Sequence, residues 1–146
     1  EISCSLVGSE MCIRDSHGTR GRIDMVVYSF PYVSGRTFTL DYLVAMRDSV
    51  LGEHIQGAFP GSYMTTEKRF TPSYEAISKN GEYCGVVRGL WEMEGDMMGG
   101  PFVSHAHLDE KNQRVVVTET FVYAPNTKKA KLLRRGEASL YTFCMD

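Results

Sequence analysis

Two histidines, His105 and His107, stand two residues apart in a stretch that reads as a strand, so their side chains leave the backbone on the same side. Such a pair can supply two ligands to a zinc ion, with Glu119 on a neighbouring strand as a candidate third. Solvent-facing histidines on a hairpin would produce the same pattern. Arg88 is the next candidate, because a guanidinium suits a carboxylate or phosphate. Alternation puts Arg88, Leu90 and Glu92 on one face and Val87, Gly89 and Trp91 on the other. Arg88 could equally be the structural partner of Glu119, a carboxylate that shares its face with Val115, Val117 and Phe121 and is costly there unless paired. Asp96 and the run Met97-Met98-Gly99-Gly100-Pro101 follow. A phosphate cradle at Gly99-Gly100 would need a lysine, a Ser/Thr and a following helix, and a strand follows instead. The two glycines are then expected to supply positive φ in a turn or bulge. Met97, Met98 and Trp91 would line an apolar groove or join the core. Arg88, Trp91, Glu92, Asp96, Gly99 and Gly100 thus form the candidate ligand-binding set.

Catalysis finds less footing. Ser62, Ser104 and Ser139 lack a nucleophile-elbow context, and no Cys-His signature is legible. No catalytic residue is nominated and no cofactor is expected, which favours a non-enzyme. Cys84 and Cys144, the cysteines outside the N-terminal segment discussed below, match no zinc or redox spacing. They read as two buried thiols or, in an oxidising compartment, as a disulfide.

The elements that must position these residues follow from periodicity and punctuation. Ile23 to Tyr32 is a β-branched and aromatic run, hence a strand. Leu40, Leu43, Val44, Val50, Leu51 and Ile55 recur at three- and four-residue intervals, with Asp41, Arg47, Asp48 and Glu53 between them. That is an amphipathic helix capped by Thr37 or Thr39 and ended by Gly52 and Gly57. Tyr63 to Phe70 is a short strand. Asn80-Gly81 joins Tyr74–Ser78 to Glu82–Glu94 as a tight hairpin. A second hairpin joins Phe102–Leu108 to Arg114–Tyr123. A last helix starts at Asn126 or Thr127 and turns Leu133, Leu140, Tyr141 and Cys144 inward. The order β-α-β-β-β-β-β-α predicts an α+β two-layer sandwich: a mostly antiparallel sheet of five to six strands with two helices packed on it.

A net charge of -2 gives no general pull toward nucleic acid, and no nucleic-acid partner is expected. Lys128, Lys129, Lys131, Arg134 and Arg135 make the outer face of the last helix basic, as a solvated face or one resting on anionic headgroups. No apolar run approaches the roughly 18 residues of a membrane span.

Residues Val7 to Asp15 (Val-Gly-Ser-Glu-Met-Cys-Ile-Arg-Asp) resemble the translation of a transposase sequencing adapter, with Leu6 and Ser16 compatible with its flanking codons. Residues 1–16, with Cys4 and Cys12, are therefore read as an artefact in a metagenomic fragment and set aside, leaving one domain over 17–146.

The stretch from Arg88 through Trp91, Gly99, Gly100 and Pro101 to Ser104 resembles a family of Bacteroidetes lipoproteins catalogued as a domain of unknown function. Gly61–Glu67, Phe121–Pro125, Arg47–Leu51, Glu137-Ala138 and Leu140–Thr142 fit the same family. The resemblance runs from about Gly21 to Phe143. It implies the C-terminal part of a longer protein in the cell envelope, whose only membrane association is a lipidated cysteine. The partner would be an envelope protein or glycan. The expected role is a non-catalytic binding or structural module; the alternative is an envelope enzyme with its site at the Arg88–Phe102 loop. The family's strand before Ile23 is replaced here by the adapter, which would leave an open sheet edge prone to self-association. Two positions depart from the family: Gly136 stands where a large apolar residue is usual, and Thr120 where glycine is usual. Gly136 costs helix propensity and a core side chain, Thr120 falls in the strand before Phe121, and both departures bear on stability.

Overall fold

The computed structural model describes residues 22–57, 59–123 and 129–141 in full, and the backbone alone of 3–5, 11–14 and 20–21. The elements are β1 (Ser3–Ser5), β2 (Met11–Arg14), β3 (Arg20–Pro31), α1 (Leu40–His54), β4 (Tyr63–Thr66), β5 (Ser73–Lys79), β6 (Glu82–Glu94), β7 (Gly99–Asp109), β8 (Arg114–Tyr123) and α2 (Ala130–Leu140). Residues 1–2, 6–10 and 15–19 lie outside the described residues, as do Asn126, Thr127 and Cys144, while β1 and β2 fall within the segment 1–16 that was set aside. No helix among the described residues is long and apolar enough to cross a membrane.

Every strand pairing is antiparallel, and the sheet runs β3-β8-β7-β6 through its centre. One edge of β6 is shared, its first half by β5 and its last four residues by β4. The outer edge of β3 carries β1 and β2. The expected α+β class and element order are therefore present. The hairpin at Asn80-Gly81 has φ of 54° and 79°, the left-handed pair that a two-residue turn requires. Thr39 caps α1, accepting from the Tyr42 N–H at 3.3 Å. Gly52 does not end α1, which runs on to His54; the missing side chain lets α1 approach the Met64 carbonyl of β4.

The layering differs from a two-layer sandwich, because the two helices take opposite faces. Leu43, Val50 and Leu51 of α1 join Val26, Tyr28, Phe30, Val115 and Val117 in the main core. Leu132 and Leu140 of α2 pack against the alternate set, Ile23 and Val122 in one cluster and Cys84, Val86 and Val103 in another. With both faces covered, β8 is buried from Val115 to Val122, which explains its unbroken apolar run. The fully buried residues of α2 are Leu132, Gly136 and Leu140; the expected Leu140 is among them, Leu133 packs half-buried against the same clusters, and Tyr141 is exposed.

Gly136 and Thr120 prove to be one feature. A side chain on Gly136 would collide with the Thr120 hydroxyl and crowd the Ile23 methyl, 3.1 Å away. Thr120 therefore fills the space that a large residue at 136 would occupy. Its hydroxyl is satisfied by donating to the Asp24 carbonyl at 3.3 Å. Thr120 and Gly136 are matched in volume across the interface, so the space beside Gly136 is filled.

Candidate functional site

The turn that brings β6 round to β7 takes its positive φ at Gly95, not at Gly99 or Gly100. These two are strand residues, opposite Glu92 and Trp91 respectively. Gly100 is bare for a steric reason. A Cβ there would overlap the Val122 carbonyl oxygen, to which the Trp91 indole N–H donates at 3.1 Å. Trp91 is thereby fixed edge-on to Phe121, with Tyr123 on its other side.

Two hollows flank Trp91 and Met98. The more enclosed is a cleft of about 360 Å³ walled by Met64, Met93, Met98, Trp91, Phe121 and Tyr123. Its polar groups are the Arg22–Asp24 pair, His54 and Gln56. The other is an open groove of about 500 Å³ that brings together Trp91, Glu92, Asp96, Gly99 and Gly100, five of the six expected ligand-binding residues. The groove adds Glu67, Arg69 and Lys129, none of which the sequence singled out as site residues. The Arg69 guanidinium holds the Glu67 carboxyl down at about 2. Burial, then the hydrogen bond to Glu67 and its charge, pushes Glu92 up. Glu92 is thus the carboxyl of the pair that keeps a proton longest.

Arg88, the sixth expected residue, lies apart from this groove. It faces α2, where the Nη1 and Nη2 nitrogens donate to the two oxygens of the Glu137 carboxylate, Nη1 at 2.9 Å.

The histidine pair is buried under α2, not solvent-facing: His105 is fully enclosed and His107 nearly so. Alternation does put both on one face, but Glu119 points to the other. Cys84, the cross-strand partner of His107, supplies the third group instead. One donor atom from each of Cys84, His105 and His107 lies within 4.8 Å of the others. Lys79, the last residue of β5, reaches into the cluster, with its Nζ 3.4 Å from His105 Nδ1 and 3.1 Å from His107 Nε2. It also donates to the Leu140 carbonyl at the end of α2. Burial, then the Lys79 charge, pulls both histidines down to about 4. Burial pushes the free Cys84 thiol up to about 11.

A family model described as Domain of unknown function (DUF4837) matches residues 9–142. The chain belongs to this DUF4837 family. No curated protein matches it.

The matched span of this DUF4837 domain includes the cleft, the groove and the histidine cluster. It also includes the true partner of Glu119, which is Arg47 of α1 and not Arg88. Arg47 Nε and Nη2 donate to the two Glu119 oxygens at 2.8 and 3.0 Å, and Nη1 donates to Thr66 Oγ1 at 3.1 Å. The guanidinium stacks 3.9 Å over the Phe102 ring. Burial disfavours the Arg47 charge, but Glu119 outweighs it and holds the guanidinium protonated. Burial also pushes the Glu119 carboxyl up, against the pull of Arg47. The signal for this pair was present in the sequence: Arg47 sits four residues after Leu43 and three before Val50, within the buried stripe.

Proposed function

We propose that this domain is a non-catalytic binding module of a cell-envelope lipoprotein, and that the cleft beside Trp91 seats an apolar part of its partner. The observation that carries this reading is the cleft's construction. Aromatic rings and methionine thioethers form adaptable apolar walls, and a few polar groups stand ready to fix orientation. The envelope setting rests on the resemblance to Bacteroidetes lipoproteins carried by the Arg88–Ser104 stretch. An envelope glycan or peptide with an apolar face is the partner that such a wall suits.

Trp91 is the chain's single tryptophan and lines both the cleft and the groove, so its emission reports on either, and Tyr123, which lines the cleft alone, tells them apart. Titration with muropeptides, oligosaccharides and peptides is expected to give a saturable change with one of these classes, weakened at least tenfold in Tyr123→Ala. Flat titrations with every class, from a chain that melts cooperatively, would remove the reading.

A second reading, an envelope enzyme, is favoured by one observation: Glu92 and Glu67 share the open groove, where burial and that neighbour push the Glu92 carboxyl up while Arg69 holds Glu67 down. A carboxyl with a raised pKa is suited to general acid work. Under this reading Glu92→Gln abolishes turnover of a glycan or peptide substrate while leaving the Trp91 titration intact.

A further inference from the structure

We propose that Cys84, His105 and His107 form a binding site for a thiophilic divalent metal ion, zinc foremost, between the sheet and α2. The Lys79 ammonium holds the place of that ion in the metal-free protein. The site is independent of the Trp91 cleft, which lies on the α1 side of the sheet.

The first support is placement. His105 and His107 project from one strand and Cys84 from its neighbour, so three donors arise from buried, paired strands in the middle of the sheet. Zinc bonds of about 2.0–2.3 Å set tetrahedral ligand atoms roughly 3.3–3.8 Å apart. The donor atoms lie within 4.8 Å of one another, so rotations of the side chains alone bring them to that spacing. A soft thiolate with two imidazoles selects zinc over magnesium or calcium.

The second support is the orientation of the imidazoles. A metal-bound histidine gives one nitrogen to the ion and the N–H of the other to an acceptor behind it. His107 presents Nε2 to Lys79 and Nδ1 to the Val116 carbonyl at 3.3 Å. His105 presents Nδ1 to Lys79, while its Nε2 faces the Glu137 carboxylate at 3.9 Å. That Nε2 is fully buried and has no hydrogen-bond partner at its present distance. A buried polar atom of this kind calls for an explanation. A ligand role for Nδ1 provides one, since it fixes the tautomer with the proton on Nε2 and strengthens the bond to Glu137.

The third support is the occupant. Two lone pairs converge on a single cation, and the cation belongs to a flexible side chain at the mouth of the Asn80-Gly81 turn. Replacement of the ammonium by a metal ion keeps a positive charge at the same focus. The Cys84 thiol loses its proton to solvent on binding, and Lys79 swings out toward water. Three protein ligands leave a fourth position open.

The test is titration of the metal-free full chain, without an affinity tag, by Co²⁺ and then Zn²⁺. One equivalent of Co²⁺ is expected to give a thiolate charge-transfer band in the near ultraviolet, and Zn²⁺ is expected to erase it and raise the melting temperature. Cys4, Cys12 and Cys144 are also present, so the band must vanish in Cys84→Ser and survive in Cys12→Ser. His107→Gln should weaken Zn²⁺ at least tenfold. Lys79→Met removes the competing cation and should tighten Zn²⁺ by about tenfold, a gain that misfolding cannot produce. A band that persists in Cys84→Ser, a folded chain that takes up no metal, or an unchanged affinity in Lys79→Met would each overturn the proposal.

Discussion

Beneath α1 the sheet buries one continuous core of aliphatic and aromatic side chains, interrupted by a single charged pair whose members satisfy each other. Beneath α2 the same sheet buries two small apolar clusters with His105, His107, Lys79, Thr118 and Thr120 among them. The helices match their faces. α1 has fifteen residues and a side-chain cap, whereas α2 has eleven, a glycine on its buried side and no side-chain cap. One face is built to hold the fold together. The other gives up apolar burial to bring nitrogen and sulfur donors into a dry enclosure, as function often requires and stability does not.

The largest effect expected of a single substitution tests the stabilising face. Arg47→Met leaves Glu119 buried without a counter-charge and should cost about 3–5 kcal/mol in urea unfolding. Glu119→Leu should cost a similar amount, and the two together clearly less than the sum of the singles. Additive losses would mean that the pair is not the closed unit its geometry indicates.

Acid should act through the other face. In metal-free protein His105 and His107 are held at about 4, against about 6.5 in the unfolded chain. The groups facing them are Lys79 from β5, Cys84 and Arg88 from β6, and Glu137 and Tyr141 from α2. Between those two pH values the unfolded state binds the extra protons. Stability should therefore be unaffected above about pH 6.5, fall as pH drops toward 4, and level off below. The full loss is on the order of 3 kcal/mol for each histidine. Melting curves across this range should flatten in His107→Gln. An unchanged slope would place the acid sensitivity elsewhere.

The smallest effect concerns how α2 seats. Gly136→Leu should cost about 1–3 kcal/mol because the new side chain meets Thr120. Thr120→Gly should recover most of that loss in the double variant, although it destabilises on its own. A double variant no better than Gly136→Leu alone would show that the volume exchange is not reciprocal.

The difference between the faces also explains what could be read from the sequence. Asn80-Gly81, the Thr39 cap and the valine run of β8 are local signals, and local chemistry decides them. Helix placement is not local: nothing within α1 or α2 states which side of the sheet each will cover. Arg47 was hidden because a charge on an apolar stripe reads as solvated until its partner is known. Cys84 beside His107 depends on the β6–β7 register, which rests on Gly99 and Gly100 being strand residues. That in turn follows from the indole of Trp91 lying against the Val122 carbonyl, a contact between distant segments. Five of the six expected ligand-binding residues lie close in sequence and were found together. Glu67 and Arg69 enter the same groove only through the pairing of β4 with β6.

The pairing of β3 with β8 has a consequence for how the chain reaches its fold. Ile23 bonds across to Val122, so an early strand waits for almost the last one. The β5-β6-β7-β8 meander can close hairpin by hairpin, but the inner sheet edge of β3 has no strand partner until β8 exists, and the core under α1 lacks Val115, Val117 and Phe121 until then. Such distant contacts slow folding, because the loop entropy is lost before any contact repays it. During synthesis from the N-terminus the core under α1 therefore stays incomplete until β8 is made, and Arg47 waits until then for Glu119.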